Sequence, residues 1–161
     1  MKIHINHLND FINNQLNIND LSKLLVQLGH ENEIDEGIID LEITPNRGDC
    51  LSLNGIKREL TNFYEVKNYL QIFEKEIKEF KLDFINEARE DCPQIMFLLI
   101  EIEDIPSKYS SYLDSYFEDL PIKKNNFFTD VSNYISYELG QPTHCYDFKK
   151  LGEKLILERA K

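Results

Sequence analysis

Positive charge is in short supply in this chain. Its 161 residues carry 18 lysines and arginines against 29 aspartates and glutamates, a formal net charge of -11 at pH 7. A surface that tracks phosphates by itself gathers Lys and Arg, because counterion release supplies most non-specific affinity for nucleic acid. Autonomous tight binding to RNA is therefore not expected, and the charge serves solubility instead. Long apolar runs are missing too: the longest is Ile95 to Ile100, far below the roughly 20 residues that span a bilayer. The N-terminus, Met1-Lys2-Ile3-His4, has neither the apolar stretch nor the small-residue cleavage site of a secretory signal. A cytoplasmic protein with no membrane partner is expected. The three cysteines, Cys50, Cys92 and Cys145, are odd in number and far apart, which excludes a disulfide ladder and paired zinc ligands; they read as reduced thiols in small buried pockets. His4 and His7 have no third ligand at a suitable spacing, so no metal site is expected. There is no Walker loop, dinucleotide fingerprint, internal repeat or low-complexity tract.

What is present reads as two stretches in an ordinary globular composition, 42% apolar and 29% charged. In the first, Asn19 can cap a helix whose Leu21, Leu24, Leu25 and Leu28 follow one buried face, with Gly29 placed to end it. Ile39, Leu41 and Ile43 alternate with Asp40 and Glu42, as a half-buried strand requires. Pro45 and Asn46 break that strand, and Asp49 is placed to cap a second helix carrying Leu53, Ile56, Leu60 and Phe63 or Tyr64. Lys57 and Arg58 would face solvent or a partner. The pattern weakens after Glu65, which suggests a linker over 65–80 and a short strand at Leu82 to Ile85. Ile95 to Ile102, apolar and β-branched, suits a central buried strand. Ser107 is placed to cap a helix with Tyr112, Leu113, Tyr116, Phe117 and Leu120 on one side, stopped by Pro121. A further helix is expected from Phe128 to Leu139, with Val131, Tyr134, Ile135 and Leu139 inward and Gly140 after its end. Lys154 to Glu158 reads as a last strand, and the apolar surface it leaves uncovered suggests a domain unfinished at Lys161. The expected fold is α+β: a small helix-rich domain over 1–66, then an incomplete α/β domain with a mixed sheet over 67–161.

Two stretches carry a resemblance. Glu42-Ile43-Thr44-Pro45-Asn46-Arg47-Gly48-Asp49-Cys50-Leu51-Ser52 is similar to a signature of the β subunit of bacterial phenylalanine–tRNA ligase. Asp130-Val131-Ser132-Asn133-Tyr134, followed by Glu138-Leu139-Gly140-Gln141-Pro142-Thr143-His144-Cys145-Tyr146-Asp147, resembles a second signature of the same family, in the same order. The resemblance covers nearly the whole chain. It implies that the first motif joins a strand to a helix in an N-terminal scaffold domain, with Asn46, Arg47 and Asp49 structural and Arg47 the candidate contact to another domain. Arg47 has the geometry to fork onto a neighbouring carboxylate or carbonyl.

The second motif falls, in that family, in the domain that clears tyrosine from mischarged tRNA(Phe) by water attack on the ester. Such a site needs a positioned water, donors for the oxyanion and a sensor of the tyrosine hydroxyl. Matched position by position, the family's Thr-Asn pair and the His of Gly-Gln-Pro-x-His become Ser132, Asn133 and His144. His144 either orients water or contacts the terminal adenosine, or else is a loop histidine bonded to the turn after Gly140. Three departures stand out. An OB-type tRNA-binding domain usually occupies the place of His30 to Gly37; Gln94-Ile95 and Lys123-Lys124 replace the usual Arg-Tyr and Arg-Pro; and the part of the editing domain carrying the acidic hydroxyl sensor would lie beyond Lys161.

The resemblance implies no cofactor in this segment, with ATP and Mg2+ serving the whole ligase through its α subunit. It implies an assembly of two α and two β chains that meets the acceptor end of tRNA(Phe) as a whole, the isolated 161 residues being inactive. Two other readings remain open: a stand-alone degenerate relative that binds a protein partner without catalysis, and an autonomous editing hydrolase.

Overall fold

The computed structural model describes residues 1–13, 15–67, 76–152 and 154–160. These form two compact units, Met1–Gln71 with Pro106–His144, and Ile72–Ile105 with Cys145–Lys161. The fold is α+β, as expected, with antiparallel strands in the first unit and parallel strands in the second. The units are discontinuous in sequence, whereas the break expected after residue 66 is sequential. Much of the linker expected over 65–80 lies outside the described residues.

The first unit begins with β1 (Lys2–His4), which runs directly into the short helix α1 (Ile5–Asn9), and continues through α2 (Ile18–Gln27), β2 (Glu31–Asp35) and β3 (Ile38–Glu42). The sheet order is β1-β3-β2, antiparallel throughout, with Ile39 opposite both Ile3 and Ile34. Ile39 and Leu41 point inward at the period of two that the sequence pattern shows, and pack with Ile3, Leu8, Leu21 and Leu25 in one core. Strand β2, unforeseen in the sequence, returns through a two-residue tip in which Glu36 and Gly37 both have positive φ (43° and 91°), as tight hairpins favour.

The cap of helix α2 lies two residues before the expected Asn19. The cap is Asn17, whose Oδ1 accepts from the backbone N–H of Asn19 (2.9 Å) and Asp20 (3.3 Å). The earlier start lets Ile18 join the core. A six-residue 3-10 segment, Pro45–Cys50, then leads into α3 (Leu53–Leu60). Asp49 does not cap α3. The cap is buried Ser52, whose Oγ accepts from Gly55 N–H at 3.0 Å, because Asp49 is drawn instead to the guanidinium groups of Arg47 and Arg58. Ser52→Ala is expected to cost about 1 kcal/mol, read as a lower urea midpoint with an unchanged slope. Leu53, Ile56 and Leu60 face the core, and Lys57 lies over the Phe11 ring, 5.2 Å from its centroid.

Helices α4 (Ser111–Asp119) and α5 (Phe127–Leu139) complete this unit. Their caps are Ser110, rather than Ser107, and Asn126, whose Oδ1 accepts from Thr129 N–H. Leu113, Tyr116, Phe117 and Leu120 form the buried stripe of α4, and Val131, Tyr134 and Tyr137 pack on it. Tyr112 sits at the stripe's edge and is exposed. Leu139, expected inward, is 49% exposed, and the fully buried residue of α5 is Asp130. Tyr137 touches both clusters, which is why 106–144 folds with the N-terminal residues.

In the second unit β4 is Phe84–Asn86, paired in parallel with β5, Leu155–Leu157, in the register Ile85 to Ile156. Arg159 forks onto Asp91. The central buried strand expected over Ile95 to Ile102 is not formed. A strand needs a neighbour for its backbone hydrogen bonds, and among the described residues none pairs with this stretch. Met96, Leu98 and Ile100 are exposed, while Phe97 rests edge-on against Phe84 at 4.8 Å between centroids.

Candidate functional site

The first signature is a knot of charge on the turn before α3. Arg47 forks onto Asp49, Nε to Oδ1 at 3.1 Å and Nη2 to Oδ2 at 3.2 Å. The same Nη2 lies 2.8 Å from Glu59 and 2.9 Å from Cys50 Sγ. Arg58 also pairs with Asp49. Hydrogen bonding to Arg47 holds the Asp49 carboxyl at about 2 and raises the Arg47 pKa in return. Asn46 is exposed on the turn.

The second signature runs along α5 and the loop after it. The Ser132 hydroxyl donates to the Thr143 carbonyl and lies 2.9 Å from Thr143 Oγ1; one turn later Ser136 Oγ donates to the Gln141 carbonyl at 3.2 Å. These bonds stitch residues 141–143 to the helix and fix the root of His144. Asn133 and His144 are both exposed. The structure thus engages Ser132, on α5, in hydrogen bonds to the following loop and leaves the amide and the imidazole at the surface. The two signatures also meet each other. A Cβ built on Gly140 would stand 3.2 Å from Ser52 Cβ and 3.7 Å from the Leu51 carbonyl, so the end of α5 rests on the start of α3.

Several residues that sequence reasoning passed over hold this arrangement. Asp130, fully buried, accepts from Tyr109 Oη at 2.7 Å and from Asn125 N–H at 3.0 and 3.2 Å. That bond and burial push the Tyr109 phenol up to about 12. An acidic residue in the first turn after an Asn cap was the available signal. His7 bridges α1 to α4 and α5: Nδ1 is 2.8 Å from Tyr137 Oη, and Nε2 is 3.2 Å from Asp119 and 3.4 Å from the Ser115 carbonyl. Nothing in the spacing of His7 and Asp119 announces that meeting. In the second unit a wide-mouthed depression of about 500 Å3 is lined by Phe84, Asn86, Arg89 and Pro93 to Met96, and none of Ser132, Asn133 or His144 lines it.

Burial lowers the His7 pKa below its ordinary 6.5, outweighing the pull of Asp119, the Ser115 carbonyl and Asp10; nearby His4 lowers it further. With the folded value below the unfolded one, the unfolded chain binds more protons between the two. The stability that neutral His7 contributes is complete above about 6.5 and falls as pH drops through the window. Urea midpoints are expected to decline as the pH falls below about 6.5, and His7→Gln to make that decline shallower.

Residues 92–161 match the B3/4 domain family, so the chain is an α+β protein of the class that carries a B3/4 domain. The likeness extends through both signatures. The chain is 33% identical over 133 residues to the phenylalanine–tRNA ligase β subunit of Rickettsia bellii, covering 78% of this chain and 15% of that protein. To the β subunit of Listeria monocytogenes it is 34% identical over 131 residues, 79% of this chain and 16% of the relative. To that of Acinetobacter baylyi it is 31% identical over 134 residues, 80% and 16% respectively. The chain belongs to the phenylalanine–tRNA ligase β-subunit family. It spans about one-sixth of the length of these relatives. Among the described residues no helix is long and apolar enough to cross a membrane.

Proposed function

We propose that this chain performs part of the work of a phenylalanine–tRNA ligase β subunit in the cytoplasm. Residues 1–66 act as scaffold, and residues 67–161 form the first part of an editing-type domain. The whole assembly, with the α subunit as partner, charges tRNA(Phe) with phenylalanine using ATP and Mg2+ and clears mischarged Tyr-tRNA(Phe). The observation that carries this reading is the seating of the second signature on the first, Gly140 against Ser52, which fixes the loop bearing His144 on the scaffold helix. In this reading Ser132 is a positioning residue that ties down Thr143, while exposed Asn133 and His144 are the groups offered to the acceptor end. Arg47 and Asp49 hold the turn. With a net charge of -11, affinity for tRNA comes from the rest of the assembly.

The test is release of tyrosine from Tyr-tRNA(Phe) by this chain alone and by the assembly that contains it. Release by the assembly only, lost in His144→Ala, is the expected result. Equal release by the chain alone, or release indifferent to His144→Ala, overturns the reading. A non-catalytic interaction module is the second reading, favoured by exposed Met96, Leu98 and Ile100. It requires a stable complex with a protein other than the ligase α subunit and no effect of the chain on charging or editing.

A further inference from the structure

His30, between α2 and β2, is fully buried, yet neither ring nitrogen has a hydrogen-bond partner. A neutral imidazole carries one donor and one acceptor, and buried polar atoms in folded proteins are almost always satisfied. Two orphaned nitrogens on one ring therefore point to a group that protein atoms do not supply. Two other donors converge on the ring from separate elements. A His30 nitrogen, Cys50 Sγ from the end of the 3-10 segment and a Glu59 carboxylate oxygen from α3 all lie within 4.8 Å of one another. Among the described residues this is the one His, Cys, Asp and Glu cluster so gathered. Metal–ligand distances of about 2.0–2.3 Å put the donor atoms of a tetrahedral zinc site about 3.3–3.6 Å apart, so a small contraction would close this set around an ion.

We propose that His30, Cys50 and Glu59 bind a divalent transition-metal ion of the zinc type, with three protein ligands and a fourth position open. The donor set of one imidazole nitrogen, one thiolate and one carboxylate oxygen suits Zn2+ and disfavours Mg2+ and Ca2+, which take oxygen. Arg47 acts as the alternative counter-charge. Its Nη2 now faces Cys50 and Glu59, and the fork onto Asp49 gives the guanidinium a second partner to keep when the ion takes those two. Binding converts the Cys50 thiol to a thiolate and releases its proton to solvent, so affinity rises with pH. The site borders the first signature through Cys50 and would brace the scaffold turn against α3 and the end of α2; it is independent of the editing chemistry.

The test is a cobalt titration of the chelator-treated full chain under reducing conditions, read by the near-ultraviolet thiolate-to-cobalt charge-transfer band and by back-titration with zinc. The decisive variant is Cys92→Ser with Cys145→Ser, in which Cys50 is the sole thiol. It should keep a one-to-one band. Cys50→Ser should lose the band, and His30→Gln in the double-serine background should weaken binding at least as much as the loss of an outer-shell partner does, about 10- to 100-fold. Zinc should raise the unfolding midpoint of the double-serine chain. No band in the double-serine chain, a band that survives Cys50→Ser, or affinity unmoved by His30→Gln overturns the proposal.

Discussion

Gly55→Ala is expected to lower the stability of the first unit by about 3 kcal/mol or more and to dislodge the turn that carries the first signature. Two effects oppose each other at this position. Alanine favours a helix over glycine by about 1 kcal/mol, so on propensity alone the substitution in α3 would stabilise. The added Cβ, however, would stand 2.1 Å from the Asp49 carbonyl oxygen and 2.9 Å from Cys50 Cα, both backbone atoms. Overpacking costs typically 1–3 kcal/mol, and more where no side chain can swing aside. The clash wins, because the 3-10 segment must move off α3 bodily. Gly48→Ala is the control, since nothing lies within 4 Å of a Cβ there. Urea unfolding of both variants checks the argument. A Gly55→Ala chain as stable as Gly48→Ala would show that the segment does not press on α3 this closely.

Asp130→Ala is expected to cost about 2–5 kcal/mol. The carboxylate is fully buried and takes the Tyr109 hydroxyl and the Asn125 N–H. Removing it takes the acceptor from both part-buried donors, at up to about 1–3 kcal/mol each, and leaves a void where the buried carboxylate sat. It also removes an acceptor at the start of α5, where the helix dipole favours negative charge. Asp130→Asn keeps one acceptor oxygen and should lose roughly half as much. The measurement is the equilibrium unfolding free energy of both variants, together with phenol ionisation: Tyr109, freed of its partner, should titrate below about 12. Equal stability of Asp130→Ala and the parent chain would refute a structural role for this aspartate.

Helices α2 to α5 and β3 were legible because they bury one stripe or one face each, whereas the short α1 was not. Leu21 with Leu25, Leu53 with Ile56 and Leu60, and Ile39 with Leu41 lie where their periods put them. The caps were not. Asn17, Asn19 and Asp20 cluster at the start of α2, and Asp49 and Ser52 just before α3, and every one of them is a capping residue type. What selects among them is packing of the first turn and competition from Arg47, neither of which is local. The stretch from Ile95 to Ile102 shows the converse. Its residues favour a strand, but pairing depends on a neighbour rather than on propensity. At the candidate site the motif residues were visible and their partners were not: Thr143 for Ser132, Tyr109 for Asp130 and Glu59 for Arg47 are set by tertiary contact alone.

The hairpin tip at Glu36 and Gly37 has a genealogical consequence. Asp35 and Ile38 pair across it, so the β2–β3 ladder is complete without the two tip residues. An excursion spliced in there would leave the core residues of β3, Ile39 and Leu41, in place, and each doubling of its length would add only about 0.6 kcal/mol of closure entropy. Whole domains can therefore enter or leave a lineage at this point without a compensating change in the core.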